Sequence, residues 1–226
     1  MQTAVALARM KPDSTVQVSS SFAEFDATDV PGSVGVLRRQ LFSYSDLLVH
    51  VQDFEGESFE VVREKMESDP AAVLLAGDLT ECVEPFGEDA QKSLLGAAAS
   101  LFYRWDGKPV GVGETLHSTV IVNRMDPAVI PEVSRLFADL DATDFPHHMG
   151  TRRRQLFSLD GVYFHLQDFT TVDGHSLIDG AWKEADPRFI KICRELDPLV
   201  KVYDPATWRS TADQIATRFY HWEASS

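Results

Sequence analysis

The sequence predicts an α+β chain that consists of two copies of one βαββαβ module. The residues Arg9–Phe54 align without a gap on Arg124–Phe169, and 23 of these 46 positions are identical. Each copy also alternates short β-branched segments with segments of helical periodicity. An aromatic segment ends each copy, at Phe102-Tyr103 and again at Phe219-Tyr220. A repeat of this kind determines the organisation of the whole chain.

The two predicted domains are residues 1–107 and 114–226, each long enough to fold around a core of its own. A segment rich in Gly and Pro, residues 106–113, is predicted to link them. The shared pattern reads R-M-x-P, F-A-x-x-D-A-T-D-x-P, G-x-x-R-R-Q-L-F-S and H-x-Q-D-F, with the same order and spacing in both copies.

A strand and a helix begin each module. Short apolar segments with β-branched residues predict the strand at 3–9 and at 115–124. The apolar residues that follow recur at i, i+4 and i+7, a spacing that places them on one face of a helix. These residues are Val18, Phe22 and Phe25 in the first copy and Val133, Phe137 and Leu140 in the second.

A β-hairpin is predicted next. Its strands are residues 35–43 and 47–54 in the first copy, and 150–158 and 162–169 in the second. Asp160-Gly161 is a strong signal for a two-residue turn, and this turn fixes which side chains share a face. The polar residues on that face are Arg39, His50 and Gln52, and Arg154, His165 and Gln167. Arg38 and Arg153 fall on the reverse face, and a one-residue register shift would exchange the two faces.

A second helix, at 69–79 and 186–196, and an aromatic closing strand, at 101–105 and 218–222, complete each module. The order β-α-β-β-α-β is the ferredoxin-like arrangement. Helices cover one face of such a sheet, and the other face needs a partner. The chain is therefore predicted to form an intrachain dimeric α+β barrel, with the two sheets face to face. The alternative is a chain that dimerises further through either copy.

The composition predicts a soluble, acidic, cytoplasmic protein. Of the 226 residues, 21 are Lys or Arg and 35 are Asp or Glu, which gives a net charge of −14. Such a surface repels phosphate backbones and anionic lipids, so roles on nucleic acids and membrane surfaces are disfavoured. No apolar segment approaches the ~18 residues that span a bilayer, and no secretory leader is visible. Cys82 and Cys193 make neither a disulfide framework nor a zinc site, so no metal is expected.

The polar face of each hairpin is the candidate site. An Arg and a His on a buried sheet face could bond to each other for purely structural reasons. They could also line a pocket for an oxygen-rich ligand, because Arg donates a fixed fork of hydrogen bonds and His exchanges a proton near neutral pH. Gln52 and Gln167 would then contact the ligand as well.

Asp26 and Asp141 form a second candidate pair. Each lies four residues beyond Phe22 or Phe137, the middle residue of the apolar stripe on one face of its helix. This places it at the buried edge of the helix and near its C-terminus, where the macrodipole disfavours a carboxylate. An arginine of the same repeat is the expected partner, either for a structural ion pair or for chemistry. The aromatic segments belong first to the core, and Tyr103 and Tyr220 are also predicted to contact a substrate. His147-His148 is interpreted as a solvated loop rather than a metal site.

The shared motifs resemble those of the small aromatic polyketide cyclases of the tetracenomycin type. The resemblance extends over the 46 aligned residues of each copy and keeps the spacing between the motifs. Members of that family resemble one module and pair as homodimers, so the resemblance implies a fused dimer. No phosphate-binding loop, nucleophile elbow or H-E-x-x-H motif is present, which disfavours nucleotide-dependent and triad chemistry.

The resemblance implies cofactor-free aldol cyclisation and aromatisation of a poly-β-ketone or a partly cyclised polyketide, in antibiotic or pigment biosynthesis. By position, it implies that the site consists of the pocket arginines Arg39 and Arg154, the histidines His50 and His165, and the aspartates Asp26 and Asp141. The residue before that aspartate is commonly His in the family, whereas Phe25 and Leu140 stand here. Either another group carries the proton or the substrate differs.

Two other functions remain open at this point. The same fold could be a cofactor-free monooxygenase that oxidises an anthrone, or a non-catalytic subunit that binds a polyketide within a synthase complex. The expected partners are a polyketide substrate and, as further candidates, acyl carrier protein or other synthase subunits. Both copies keep their Arg and His, so the residues do not decide whether one or both are active.

Overall fold

A computed structural model describes residues 1–56, 58–87, 96–109, 111, 114–171, 174–184 and 186–224. The chain divides into two compact units. The first unit is Met1–Ala99 with Thr217–Ser226, and the second is Ser100–Ala216. Within the predicted linker, Val110, Val112 and Gly113 lie outside the described residues.

Strands and helices alternate along the chain as the repeat predicts. The strands are β1 Gln2–Met10, β2 Val36–Tyr44, β3 Leu47–Phe54, β4 Val83–Pro85, β5 Ala97–Ala98, β6 Ser100–Asp106, β7 His117–Met125, β8 Thr151–Leu159, β9 Val162–Phe169, β10 Val200–Val202 and β11 Thr217–Glu223. The helices are α1 Thr15–Asp26, α2 Val30–Ser33, α3 Phe59–Glu67, α4 Pro70–Leu79, α5 Ile130–Asp141, α6 Phe145–His148, α7 Gly174–Glu184 and α8 Pro187–Leu196. None of the described helices is long and apolar enough to cross a lipid bilayer.

Each unit contains one antiparallel sheet. The order is β11-β2-β3-β1-β4 in the first unit, where β5 also pairs with β1, and β10-β7-β9-β8-β6 in the second. The two central hairpin strands, the first strand and the short β4 or β10 keep the ferredoxin-like order in each sheet. The α+β class and the tandem ferredoxin-like units are therefore confirmed, whereas the packing of the two sheets face to face stays a prediction.

The prediction that the aromatic strand closes its own module was wrong. The aromatic strand β6 ends the first sequence repeat but pairs with β8 of the second, and β11 ends the second repeat but pairs with β2 of the first. The strand that completes the ferredoxin-like order is instead β4 or β10, which has three residues. So short a segment carries no periodicity that a sequence pattern could detect. The compact units consequently differ from the repeats at 1–107 and 114–226 by the exchange of one strand each.

The helices pack as the apolar stripes predict. All six stripe residues of α1 and α5 are buried in the cores. In both units the second predicted helix, α4 or α8, begins after an Asp whose side chain accepts a backbone N–H bond, from Ala71 to Asp69 or from Arg188 to Asp186. Helices α3 and α7 were not predicted, although Val62 and Met66 in α3 are buried four residues apart.

Candidate functional site

The hairpins bring the predicted polar residues to one face of each sheet. In the second unit, Arg154 pairs with Gln167 and Leu156 pairs with His165 across the two strands, as the register predicts. In the first, Arg39 pairs with Gln52 and Leu41 with His50. The second hairpin turns at Asp160-Gly161, both with positive φ, at 45° and 78°. The turn that Asp-Gly specifies thus sets the position of the site.

In the second unit, one carboxylate, one guanidinium and one imidazole form a continuous network. Arg154 Nε donates to both oxygens of Asp141, at 3.1 and 3.0 Å. Arg154 Nη1 lies 2.7 Å from His165 Nε2. The hydroxyl of Tyr103 donates to Asp141 Oδ2 at 2.9 Å. Strands β8 and β9, the C-terminal end of α5 and the exchanged strand β6 each supply one of these four groups.

The first unit repeats the network with the aligned residues. Arg39 Nε donates to both oxygens of Asp26 at 3.0 Å, and Arg39 Nη1 lies 2.9 Å from His50 Nε2. Tyr220, on the exchanged strand β11, donates its hydroxyl to Asp26 at 2.9 Å. The ion pair that was predicted for each aspartate is thus present in both units. The tyrosine hydroxyls donate to these carboxylates, and a direct contact between the tyrosines and a substrate stays a prediction.

The network fixes the protonation state of each histidine. A guanidinium can only donate, so Nε2 of His165 accepts and the ring proton resides on Nδ1. Burial, with a smaller contribution from the Arg154 cation, holds the pKa of His165 well below its ordinary value of 6.5. The pKa of His50 is lowered for the same reasons, by burial first and then by the Arg39 charge. Both histidines are therefore neutral at pH 7.

Burial changes the pKa of each aspartate as well. Burial raises the pKa of Asp141, while the Arg154 charge and the Tyr103 hydroxyl act in the opposite direction. Burial raises the pKa of Asp26 in the same way, while Arg39 and Tyr220 act to lower it. Because each carboxylate receives hydrogen bonds from a permanent cation and a hydroxyl, it serves as the negative partner of the network.

A phenylalanine of the helical stripe completes each network and was predicted only as a core residue. The Arg154 guanidinium lies 5.1 Å from the centre of the Phe137 ring, and the His165 ring meets the same ring edge to face at 5.1 Å. Phe22 lies 5.2 Å from Arg39 and 5.3 Å from His50. The aromatic face thus stabilises a cation that has few water contacts.

A cavity of about 750 Å³ borders the network of the second unit. Arg154, His165 and Gln167 line it, together with mostly apolar side chains. Those apolar residues include Leu140, Phe145, Met149, Ile178, Phe189, Ile192, Leu196 and Trp208. A mainly apolar pocket with a few convergent polar groups is typical of a small-molecule site, and this size accommodates a drug-sized ligand.

The surroundings of the two networks differ. Arg39 is fully buried, at 0% exposed, and its Nη2 has no hydrogen-bond partner among the described residues. Among the described residues, Gln52 donates only to the sulfur of Met66, at 3.7 Å, and its Oε1 has no partner there. Gln167, which aligns with Gln52, donates to the hydroxyl of Thr151 at 2.6 Å.

The reverse face behaves as predicted, whereas the His-His segment, although exposed, forms the end of a short helix and not the predicted loop. Arg38 binds Asp53 through Nε at 2.8 Å, and Arg153 binds Asp168 at 2.7 Å, both on the face away from the histidines. His147 lies in the short helix α6 with its ring 5.5 Å from that of Trp105. No group of three His, Cys, Asp or Glu residues within the described ranges is placed to hold a metal ion.

Comparison with known proteins agrees with the repeat. A family model described as "Polyketide synthesis cyclase" matches residues 2–106 and 117–223. Polyketide synthase CurG of Streptomyces cyaneus is 33% identical over 108 residues, which are 48% of this chain and 98% of that protein. Tetracenomycin F2 cyclase of Streptomyces glaucescens is 29% identical over 102 residues, 45% of this chain and 92% of that protein.

Several solved structures cover both units in a single alignment. Among them is that of an anthrone oxidase-like protein, with a TM-score of 0.55 and 11% identity, and the alignment covers 99% of this chain and 93% of that one. At that identity the likeness shows the fold alone. The family assignment comes from the sequence match, which includes each repeat almost from end to end. The chain belongs to the polyketide synthesis cyclase family, with two copies of the family's domain in tandem.

Proposed function

We propose that the protein is an enzyme that closes and aromatises rings of a polyketide by regiospecific aldol condensation, without a cofactor, in the biosynthesis of an aromatic antibiotic or pigment. The observation that carries the proposal is the Asp141–Arg154–His165 network at the wall of the 750 Å³ cavity. The family and the two named relatives support cyclisation at the level of the family.

The cavity suits this class of substrate. A poly-β-ketone carries an oxygen on every second carbon, and its partly cyclised forms are flat, mainly apolar ring systems. The apolar walls would hold the rings, and Arg154 and His165 would meet oxygen atoms along one edge. Holding the chain in one folded conformation selects which carbon meets which carbonyl, and this proximity determines the ring that forms.

Arg154 is proposed to stabilise the negative oxygen of the reaction. A methylene between two carbonyls enolises readily, and the enol carbon bonds to a second carbonyl carbon, whose oxygen becomes an alkoxide. The Nε and Nη1 groups of Arg154 are occupied by Asp141 and His165, so the remaining guanidinium N–H groups are those available to such an oxygen. A preorganised cation in a largely dry pocket is an effective stabiliser of a developing oxyanion.

His165 is proposed to supply a proton from Nδ1. Because its Nε2 accepts from Arg154, Nδ1–H is the hydrogen-bonding group that remains for a substrate oxygen. That proton can pass to the aldol alkoxide, and the enol O–H proton that is released restores it; loss of water then aromatises the ring. Asp141 and Tyr103 would orient Arg154 rather than touch the substrate.

Product analysis with the full chain tests the proposal. Arg154→Met with His165→Asn should divert a nascent polyketide from a minimal synthase toward uncyclised or wrongly cyclised shunt products. Arg39→Met with His50→Asn is the matched variant of the other network and reports whether that unit also acts. Unchanged products from a folded variant that carries all four substitutions would refute the proposal.

Two further readouts separate the rival functions. Consumption of dissolved oxygen in step with product would indicate the monooxygenase and overturn the cyclase. Saturable binding of a polyketide without turnover would indicate a non-catalytic subunit. Activity that persists after dialysis against a chelator, with no added cofactor, is expected for the proposed chemistry.

A further inference from the structure

Two positions of the first strand on the site face are polar in the second unit and alanine in the first: Thr119 aligns with Ala4, and Asn123 aligns with Ala8. Asn123 on β7 lies opposite Tyr163 on β9, and both line the cavity. The aligned pair in the first unit is Ala8 opposite Leu48. The Arg, His and Gln of the site are the same in both units, so this pair changes what the site face can recognise without changing the network itself.

Asn123 has an unsatisfied hydrogen-bonding atom at the cavity. The side chain is only 6% exposed. Its Nδ2 donates to Gln214 Oε1 at 2.8 Å, whereas its Oδ1 has no hydrogen-bond partner in the described part of the chain. A buried carbonyl oxygen without a donor is costly, and a ligand that brings a donor removes that cost.

Gln214 is held in position by the backbone around it. It ends the 3₁₀ helix Thr211–Gln214, which begins with a capping box between Ser210 and Asp213. The next residues join the edge of the second sheet, because Ile215 bridges to Ile121 and Ala216 donates its N–H to the Val120 carbonyl at 2.8 Å. Gln214 therefore presents a fixed acceptor, which orients the amide of Asn123 before any ligand arrives.

We propose that Asn123, oriented by Gln214, determines the substrate specificity of the second unit by accepting a hydrogen bond from an enol or phenol hydroxyl of the bound polyketide. This inference rests on the proposed function of the cavity. Asn123 lies diagonally across the sheet from His165, a separation of about 7–8 Å in sheet geometry. One ring system can therefore place one oxygen at Arg154 and His165 and a hydroxyl at Asn123, which fixes its direction in the cavity.

The direction of the ligand matters because it decides which end of the molecule meets the reacting groups. An ether at the same place has no proton to donate, so Asn123 discriminates between a hydroxylated ring and its O-methylated form. With Ala8 at the aligned position, the first unit has no such group. The two repeats consequently differ in the ligands that they distinguish.

Equilibrium binding to the full chain tests this inference with two probes, a trihydroxyanthraquinone and its trimethyl ether. The preference of the wild-type protein for the hydroxylated probe should fall by about 5- to 10-fold in Asn123→Ala, as expected for one lost hydrogen bond. Ile121→Ala is the matched control, because Ile121 lines the same cavity two residues away on the same strand. It should weaken both probes alike and leave their ratio unchanged.

The outcomes separate this inference from the proposed function. A ratio that is unchanged in Asn123→Ala, while Arg154→Met still weakens binding, would overturn the role of Asn123 alone. Failure of both probes to bind, or binding indifferent to Arg154→Met, would overturn the cavity as a polyketide site. Thermal unfolding verifies that each variant is folded, and Asn123→Leu, which fills more of the space, repeats the measurement if Asn123→Ala does not fold.

Discussion

The two units contain the same polar network in different surroundings. In the first, Arg39 is fully buried; in the second, Arg154 is 3% exposed and lines a cavity. The hydrogen bonds of Arg, Asp, His and Tyr agree within 0.2 Å between the units. The network is therefore a property of the duplicated fold, and in the second unit it also borders a cavity.

The polar face can have both a structural role and a role in binding a ligand. A guanidinium that is bonded to a carboxylate and an imidazole is satisfied enough to be buried. The same bonds leave guanidinium N–H groups unused, and Arg39 Nη2, which has no hydrogen-bond partner in the described part of the chain, is one such group. The residues that orient the cation in both units thus leave N–H groups for the oxyanion of the proposed reaction, in the unit where Arg154 lines a cavity.

Removal of the arginines is expected to give the largest effect and to sharpen the difference between the units. Arg39→Met leaves the buried Asp26 charge with Tyr220 as its one side-chain donor among the described residues, and should lower the free energy of unfolding by about 3–5 kcal/mol. Arg154→Met should cost about 1 kcal/mol less than Arg39→Met, because the cavity that Arg154 lines can admit water toward Asp141. Urea-induced unfolding, followed by circular dichroism, measures both.

A double variant distinguishes the unpaired charge from the lost packing. Asp26→Asn with Arg39→Met removes the buried charge and should recover part of the lost stability, since a neutral amide still accepts from Tyr220. Equal losses of unfolding free energy in Arg39→Met and Arg154→Met would contradict the comparison. They would show that water from the cavity does not stabilise the unpaired charge of Asp141.

Removing the tyrosine hydroxyls tests whether β6 and β11 are exchanged between the repeats, and it should have an intermediate effect on the free energy of unfolding. Tyr220→Phe removes a hydrogen bond to Asp26, and Tyr103→Phe removes one to Asp141; each should lower the free energy of unfolding by about 1.5–3 kcal/mol, as for a bond to a charged group. Hydrogen exchange locates the effect. Tyr103→Phe should accelerate exchange in α5 and leave α1 unchanged, whereas pairing within each repeat would give the reverse.

Much of this arrangement follows from local sequence. The Asp160-Gly161 turn fixes the register, and the register places Arg154 and His165 on one face. The stripe of α5 predicts where Asp141 lies relative to the core. These inferences succeed because strand and helix periodicities depend on neighbours within a few residues.

The exchange of β6 and β11 could not be predicted in this way. Both strands carry the same aromatic pattern, and β2 and β8 share the residues R-R-Q-L-F-S, so either pairing satisfies the local pattern equally. The cavity is also a long-range property, since α5, α6, α7, α8 and the segment that contains Trp208 and Gln214 all contribute to its lining. Only the complete chain determines such a choice.

Acidification is expected to give the smallest effect and asks whether the two networks are energetically equivalent. Both histidines have a pKa well below 6.5 in the folded protein, so below pH 6.5 the unfolded chain binds protons that the folded chain does not. Their contribution to stability is therefore complete above pH 6.5 and is lost as the pH falls toward the folded pKa. At pH 5.5 each histidine should account for a loss of about 1.4 kcal/mol.

Urea-induced unfolding at pH 7.5 and pH 5.5 measures this loss, and one variant for each unit assigns it. His50→Asn and His165→Asn should each reduce the difference between the two pH values by one histidine's share, since Asn keeps an acceptor for the arginine and does not titrate. A reduction in only one variant would show that the networks share geometry but not energetics. If that variant were His50→Asn, the cavity beside His165 would be implicated, because water there can solvate a charged imidazolium and raise its pKa toward the unfolded value.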